Sequence, residues 1–358
     1  SPAVDSANPD FCPAADLRGE PRPAGAGCDM GAFEGSLGDA PIPDILTFTA
    51  AGTDNLPHNL LCQTPTTDCT GGDNPQADAV HAHIINIYQM YADLHGRRSM
   101  DDAGMAVIST VESAAAQDNA FWNGLQLAFG PDFLADDVIA HEYTHGVTQY
   151  SSSLLNFYQS GAIAESLSDV WGEYYDQTNG MGNDTPEVKW LAGEDLPIGA
   201  VRSMSNPPQF GQPDSMSSKY YSKDLYDNGS IHANSGVNNK AVYLMVDGGT
   251  FNKLTVAPIG WSKTLGVYYY AQTRLLTSGA GYDDLYTAVN QSCAMLTGSD
   301  AGITAQDCGQ VRKALDAVRM SQSHIKGFNP SASYCPSSTD RSLVNLFYDG
   351  FEDGADQW

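Results

Sequence analysis

The sequence predicts an α+β protein with a β-containing N-terminal lobe, an α-helical C-terminal lobe and a candidate metal site where the two meet. Three observations predict this fold. Residues 77–129 combine one helical pattern with strand-like runs, and helical patterns dominate from Asp136 onward. Between them lies "DDVIAHEYTHGVTQYSSS", residues 136–153, which has the spacing of a metal site.

Length and composition agree with two domains, or with one large domain of two lobes. The chain has 358 residues, 42% of them hydrophobic, which is enough for a sizeable core. Composition shifts divide it into an irregular, disulfide-containing segment rich in Pro and Gly (1–75), an N-terminal lobe (76–153), a helical C-terminal lobe (154–322) and a C-terminal extension (323–358).

The individual elements follow from periodicity. Apolar residues recur at helical spacing in "ADAVHAHIINIYQMYADL", residues 77–94, and Gly96 ends that helix. "MAVISTV" and "NAFWNGLQLAF" have the composition of strands. Further helices are predicted at about 137–150, 161–177, 236–247, 259–275, 281–296 and 305–319.

The charge balance excludes some partners. Lys and Arg total 17 against 43 Asp and Glu, a formal net charge of −26, which disfavours nucleic acid and anionic membranes. Many of these carboxylates are available to hard cations, although a solvated acidic surface explains most of them. No apolar run approaches the roughly 20 residues that span a bilayer. The opening "SPAVDSANPD" shows no signal peptide, which indicates a mature form or a fragment.

The seven cysteines favour disulfides and an oxidising compartment. Free buried thiols in a cytosolic protein are the alternative. None forms a C-x-x-C arrangement, which argues against a cysteine zinc site. The predicted local pairs, with Cys335 left over, are Cys12–Cys28, Cys62–Cys69 and Cys293–Cys308.

The stretch "HEYTH" has the geometry of a catalytic zinc site. His141 and His145 are four residues apart, so both imidazoles lie on one face of a helix. Glu142 points about 100° away, where it can reach a ligand of the ion without binding the ion. A catalytic zinc takes three protein ligands and one open position, and Glu165 is the candidate third ligand. By itself the pattern is weak, and two plain helix residues would also produce it.

A second helix supports the zinc site through an acidic stripe spaced by three and four residues. Antiparallel packing on the first helix gives a constant register that brings complementary groups together. The register pairs His145 with Glu165, His141 with Asp169, and Asp137 with Glu173. Asp169 would then bond the far nitrogen of His141 and fix its tautomer. Asp137, Glu173 and Asp176 gather without a histidine, which suits calcium, or else they form a solvated acidic face.

Five motifs in this chain resemble the thermolysin family of zinc endopeptidases. They are "NAFWNG", "HEYTH", "SGAIAESLSD", "VRSMSNPPQFG" and "DNGSIHANSGVNNKAVYLM", in the family's order over about residues 77–320. The resemblance implies a thermolysin-like two-lobed fold and peptide hydrolysis by zinc-activated water. Glu142 would be the general base.

The resemblance also assigns residues that spacing alone does not find. His232 matches the second catalytic histidine, which would stabilise the oxyanion or donate a proton, and Asp227 would orient it. Arg202 matches the arginine that holds the substrate backbone. The edge strand on which the peptide lies corresponds to Asn119, Ala120 and Trp122. Val138 and Val201 fit the wall of the apolar pocket after the cut bond, although core packing explains them equally well.

Several positions depart from the family pattern. Asn156 stands where the family has an oxyanion-binding tyrosine, and Tyr158 is the candidate substitute. Ala164 replaces an asparagine, and Lys189 and Leu191 replace acids of the two-calcium members. We therefore expect one calcium ion, with Lys189 standing in for the second charge. The expected calcium ligands are Asp137, Glu173, Asp176 and Glu194, with a main-chain oxygen of Leu191.

The resulting expectation is a secreted, monomeric zinc metalloendopeptidase with structural calcium. Its substrates would be proteins and peptides, cut before bulky apolar residues. One alternative is a binding or adhesion module built on a disabled protease fold, which Asn156 favours. Another keeps the metal chemistry but directs it at esters or small amides, and Asn119 and Arg202 argue against it.

Overall fold

The computed structural model describes residues 42–66, 69–183, 185–299 and 302–322. The N-terminal lobe is a five-stranded mixed sheet with one helix packed on it. Its strands are β1 (Ile45–Thr49), β2 (Asn59–Gln63), β3 (Val107–Val111), β4 (Ala120–Trp122) and β5 (Leu127–Phe129). The strand order is β2-β1-β3-β5-β4, with β1–β3 and β3–β5 parallel and the outer pairs antiparallel. β4 is therefore an edge strand.

Helix α1 (Pro75–His95) covers one face of this sheet, and its ends follow standard capping rules. The Asn74 side chain accepts the Ala77 N–H, with Pro75 at the first helical position. Gly96, with φ of 64°, ends the helix in the left-handed conformation.

Two antiparallel helices join the lobes. Helix α2 (Asp136–Gln149) begins with two acidic residues, which suit the positive end of a helix. Helix α3 (Tyr158–Asn179) is buried on nearly every side, as expected of a central helix that contacts both lobes. Trp171 on α3 is fully buried, so the core of the protein runs through this helix.

The C-terminal lobe is mainly helical. It contains α4 (Tyr226–Asn234), α5 (Gly236–Val246), α6 (Gly260–Tyr270), α7 (Tyr282–Leu296) and α8 (Ala305–Ala317), with a π-helical turn at Ala271–Leu275. Two short strand pairs complete it: β6 (Leu191–Ala192) with β7 (Arg202–Ser203), and β8 (Gly249–Phe251) with β9 (Leu254–Val256). None of the helices in the described residues has both the length and the apolar character needed to cross a bilayer.

The structure changes three sequence expectations. Strands β1 and β2 belong to the same sheet as β3, so the predicted boundary at residue 75 cuts through one lobe. The run at residues 119–129 is a hairpin instead of one strand, because Asn123 accepts the N–H groups of Leu125 and Gln126 and closes a turn. Helix α4 was not predicted, because its first turn is left-handed.

The predicted disulfides Cys62–Cys69 and Cys293–Cys308 are both formed. The other three cysteines, Cys12, Cys28 and Cys335, lie outside the described residues.

Candidate active site

The predicted zinc ligands converge at the interface of α2 and α3. His141 Nε2 lies 3.1 Å from His145 Nε2 and 3.3 Å from Glu165 Oε2. Glu165 Oε1 lies 3.6 Å from His145 Nε2. Two imidazole nitrogens and a carboxylate thus surround one point, as the antiparallel register predicted, and this set matches the donors that zinc prefers.

Asp169 lies behind this point and bonds three side chains, and we call it the hub for that reason. Its Oδ1 lies 2.9 Å from His141 Nδ1 and 2.6 Å from Arg202 Nη2, and its Oδ2 accepts the side-chain amide of Asn239 at 2.8 Å. Asn239 in turn accepts the Ser166 hydroxyl at 2.5 Å. Because Asp169 is only 3% exposed, this arrangement holds the tautomer of His141 and the position of Arg202 together.

The local charges favour a bound cation. Burial lowers the pKa of His141, but the Asp169 and Glu165 carboxylates outweigh burial and raise that pKa to about 10. Burial is the largest cause at His145 and lowers its pKa, which favours the neutral imidazole that a metal requires. The neighbouring histidines outweigh burial at Glu165 and lower its pKa, so its carboxylate is ionised.

Glu142 sits between the zinc ligands and the edge strand β4. Its Oε2 accepts the main-chain N–H of Trp122 at 2.9 Å. On the β5 side of the hairpin, the Asn119 carbonyl accepts the Gly130 N–H and the Asn123 N–H donates to the Gln126 carbonyl. Main-chain groups of successive residues point to opposite sides of a strand, so those of Ala120 and Trp122 point away from β5, towards the cleft. The Trp122 amide is therefore used by Glu142, while the main-chain groups of Ala120 remain on the free edge.

His232 enters the same site from α4. Its Nδ1 lies 2.7 Å from Asp227 Oδ1, and its Nε2 lies 3.2 Å from Glu165 Oε2. Burial lowers the pKa of His232, but Glu165 and Asp227 outweigh burial and raise it, which favours the imidazolium. The predicted Asp–His pair is thus present and directed at the zinc ligands.

A left-handed turn creates that pair. Residues 227–230 all have positive φ, between 50° and 90°, and Gly229 has the largest value. Asp, Asn and Gly tolerate this conformation best, and the sequence "DNGS" supplies them. The turn lets both oxygens of Asp227 reach His232, the second through the main-chain N–H at 3.0 Å.

Asn156, which stands at the position of the family's oxyanion-binding tyrosine, and Tyr158, its candidate substitute, lie in different places. Asn156 is exposed and lines the cleft. Tyr158 is not among the described residues that line the cleft, and its ring packs against Gly229, where any side chain would collide with it. Tyr158 therefore contacts the turn that carries His232, and Asn156 occupies the cleft wall.

The cleft has a volume of about 570 Å³ and is lined both by the metal ligands and by apolar residues. The predicted residues Asn119, Ala120, Trp122, Val138, Val201 and Arg202 all line it. Phe133 and Leu196 also line it and were not predicted. Val138 and Val201 both line the cleft, and Val138 also packs against the core.

Four acidic side chains, Asp137, Glu173, Asp176 and Glu194, form a second cluster that we call the acidic cluster. Several of their oxygens find no hydrogen-bond partner among the described residues: Glu173 Oε2, Asp176 Oδ1 and both oxygens of Glu194. Burial is the largest cause at each residue and raises the pKa of Asp137 to about 6, of Glu194 to about 8 and of Asp176 to about 9. Both oxygens of Asp137 and Oε1 of Glu173 accept N–H groups, and the unpartnered oxygens that remain suit a hard cation.

The suggested role of Lys189 is wrong. Its ammonium pairs with Asp247 at 3.0 Å instead of entering the acidic cluster. The same carboxylate accepts the Trp190 indole N–H at 2.7 Å, so Asp247 bonds both Lys189 and Trp190.

Sequence reasoning missed the side chains that hold these groups in place. Asn239 lies within the motif "SGVNNKAVYLM", but spacing did not indicate that it reaches Asp169. Gln149 accepts the Trp122 indole N–H at 2.8 Å, and no local pattern links the two residues. Both contacts join elements that are distant in sequence, so only the fold reveals them.

The chain is similar in sequence to known proteins. The family model described as "Thermolysin metallopeptidase, catalytic domain" matches residues 43–149, and "Thermolysin metallopeptidase, alpha-helical domain" matches residues 152–320. A zinc metalloproteinase of Renibacterium salmoninarum is 42% identical over 207 residues, which are 56% of this chain and 38% of that protein. A bacillolysin of Brevibacillus brevis is 36% identical over 288 residues, 76% of this chain and 51% of that protein.

A solved structure agrees with these matches. The precursor of protealysin, a metalloproteinase from Serratia proteamaculans, superposes with a TM-score of 0.64 at 26% identity, covering 78% of this chain and 88% of that one. The chain spans about half the length of the bacillolysin and less of the zinc metalloproteinase. The two family models adjoin, extend over most of the chain and meet at the site described above. The chain therefore belongs to the thermolysin family of metallopeptidases.

Proposed function

We propose that this protein is a zinc-dependent endopeptidase that uses Glu142 as its general base. The observation that carries the proposal is the convergence of His141 Nε2, His145 Nε2 and a Glu165 oxygen within 3.1–3.6 Å, with Glu142 beside them. Family membership supports it, and the chain is similar to proteins named thermolysin and bacillolysin.

The residues present fit a zinc ion. Two imidazoles and one carboxylate, with His141 and Glu165 buried, His145 partly buried and Asp169 behind His141, are the three-ligand set of a catalytic zinc site. When bound, zinc would supply Lewis-acid chemistry that acidifies water and polarises a carbonyl.

The chain's own side chains would handle the protons and the substrate. Glu142 would accept a proton from water and later release it to the leaving nitrogen. His232, as the imidazolium that Asp227 orients, would donate a hydrogen bond to the developing oxyanion. Arg202, fixed through Asp169, lines the cleft and would hold a carbonyl of the substrate backbone.

The substrate would be an extended polypeptide. The free edge of β4 can add one more strand, and Asn119 lies at its start. Phe133, Val138, Leu196 and Val201 would line the pocket that receives a bulky apolar side chain after the cut bond. A peptide-holding strand beside the metal ligands favours peptides over simple esters as substrates.

One calcium ion would occupy the acidic cluster. The unpartnered oxygens of Glu173, Asp176 and Glu194 and the short Asp137 side chain offer only oxygen ligands, with the Leu191 carbonyl as a further candidate. Calcium would neutralise the mutual repulsion of these buried carboxylates, which the charge of Arg202 near Asp137 offsets only in part. A metal analysis that finds two tightly bound calcium ions per chain would contradict the single site.

We also propose secretion and a monomeric state. Two disulfides are formed, which is typical of oxidising compartments outside the cytosol.

Cleavage mapping on a denatured protein tests the proposed activity. The wild type should cut before large apolar residues, and a chelator should abolish cutting. Glu142→Gln should keep its zinc and lose at least about 100-fold in kcat, because the amide cannot take a proton. Peptide hydrolysis at the wild-type rate by the zinc-loaded Glu142→Gln protein would refute the assignment.

A further inference from the structure

The edge strand β4 has few bonds of its own. It is three residues long and pairs only with β5, so its main chain has a partner on one side only. A strand this short is weakly fixed by its backbone alone. Its position over the metal ligands must therefore depend on side chains that connect it to the helix beneath.

Gln149, the last residue of α2, makes that connection twice. Its Oε1 accepts the Trp122 indole N–H at 2.8 Å, and its Nε2 donates to the Gly124 carbonyl at 3.3 Å. The same tryptophan donates its main-chain N–H to Glu142, which lies about two turns earlier on the same face of α2. The main-chain N–H and the indole N–H of Trp122 thus both bond to side chains of α2.

We propose that Gln149 is a positioning residue for the general base. By holding the Trp122 indole and the Gly124 turn on α2, Gln149 keeps the Trp122 amide on Glu142 and the free strand edge at a fixed distance from the metal ligands. This inference rests on the proposed peptidase function, because it assigns Gln149 a part in the same reaction. Gln149 itself would act only through Trp122 and Gly124.

Three substitutions separate this role from simple surface packing. Gln149→Met keeps the length of the side chain and removes both hydrogen bonds. Gln149→Glu keeps an acceptor for the indole, and Trp122→Phe removes the indole N–H. Gln291→Met is the matched control, because Gln291 is an exposed glutamine on α7 with no link to the cleft.

Steady-state kinetics on a short peptide amide give the first readout. Gln149→Met should lower kcat about fivefold to tenfold, the effect of one to two net hydrogen bonds, with a smaller change in KM. Gln149→Glu should lose less than Gln149→Met, because it keeps the acceptor for the indole and loses only the donor to the Gly124 carbonyl. Gln291→Met should match the wild type. In the Trp122→Phe background, Gln149→Met should cause a smaller further loss than in the wild type, because only the bond to the Gly124 carbonyl remains to be removed.

Hydrogen exchange gives a second readout that needs no activity. In NMR spectra the five tryptophans each give an indole N–H resonance, and the one that is missing from Trp122→Phe belongs to Trp122. This indole N–H should exchange with solvent faster in Gln149→Met than in Gln291→Met. Wild-type kinetics for Gln149→Met, equal losses in the Met and Glu variants, or unchanged exchange would each overturn the positioning role. If the wild type cuts no peptide, the proposed function fails instead, and exchange still tests the contact.

Discussion

Replacing Asp169 with Asn tests how the hub connects zinc binding to the stability of the fold. The carboxylate accepts donors from His141, Arg202 and Asn239 at 2.6–2.9 Å and is 3% exposed. Asn keeps the shape and one acceptor oxygen, but it removes the charge and places an N–H group among donors. Breaking a buried charged pair by removing one partner costs about 3–5 kcal/mol, and losing a carboxylate behind a metal-binding histidine costs about 10–100-fold in metal affinity.

The assay measures both quantities. Urea unfolding of the zinc-free protein should show Asp169→Asn less stable by about 3–5 kcal/mol. Competition with a chelator should show zinc held about 10–100-fold more weakly. Asp93→Asn is the matched control, because Asp93 is exposed and bonds only Gln89, so its change should stay within about 0.5 kcal/mol. If Asp169→Asn and the wild type had equal stability and equal zinc affinity, Asp169 would not connect zinc binding to the stability of the fold.

Three other predictions follow from the site. Asn156→Tyr should raise kcat, because the phenol would add an oxyanion donor to the cleft wall; a fall, measured on a short peptide, would show that another group already fills that role. Gly229→Ala should lower kcat at least about tenfold with the helical circular dichroism retained, because a methyl group collides with the Tyr158 ring and disturbs the turn that carries His232. An unchanged kcat would contradict that argument. Calcium-free protein should lose stability as pH rises from about 5 to about 9, since the acidic cluster has raised folded-state pKa values and so binds more protons folded than unfolded. Saturating calcium should remove this dependence, and a melting temperature that rises with pH in a calcium chelator would contradict it.

Periodicity and spacing were sufficient for the parts of the fold whose residues are close in sequence. The helical pattern at residues 77–94 predicted α1 within two residues at its start, and the acidic stripe predicted the register of α2 on α3. Both depend on a repeat of 3.6 residues, which a single sequence displays directly.

Contacts between distant elements could not be predicted this way. Helix α4 begins with four left-handed residues, so it lacks the apolar periodicity of a helix. Tyr158 was the candidate oxyanion group because it lies two residues after Asn156, the position that matches the family's tyrosine, but its ring packs on Gly229 from another element. The partner of Lys189 was misassigned for the same reason, since Asp247 is 58 residues away in sequence.

The most direct test of the zinc assignment is anomalous scattering at the zinc absorption edge from crystals of the zinc-loaded protein. One peak should lie between the three predicted ligands, about 2.0–2.1 Å from each imidazole nitrogen and about 2.0–2.2 Å from a Glu165 oxygen. A peak elsewhere, or full zinc content with no peak at His141 and His145, would contradict the proposed active site.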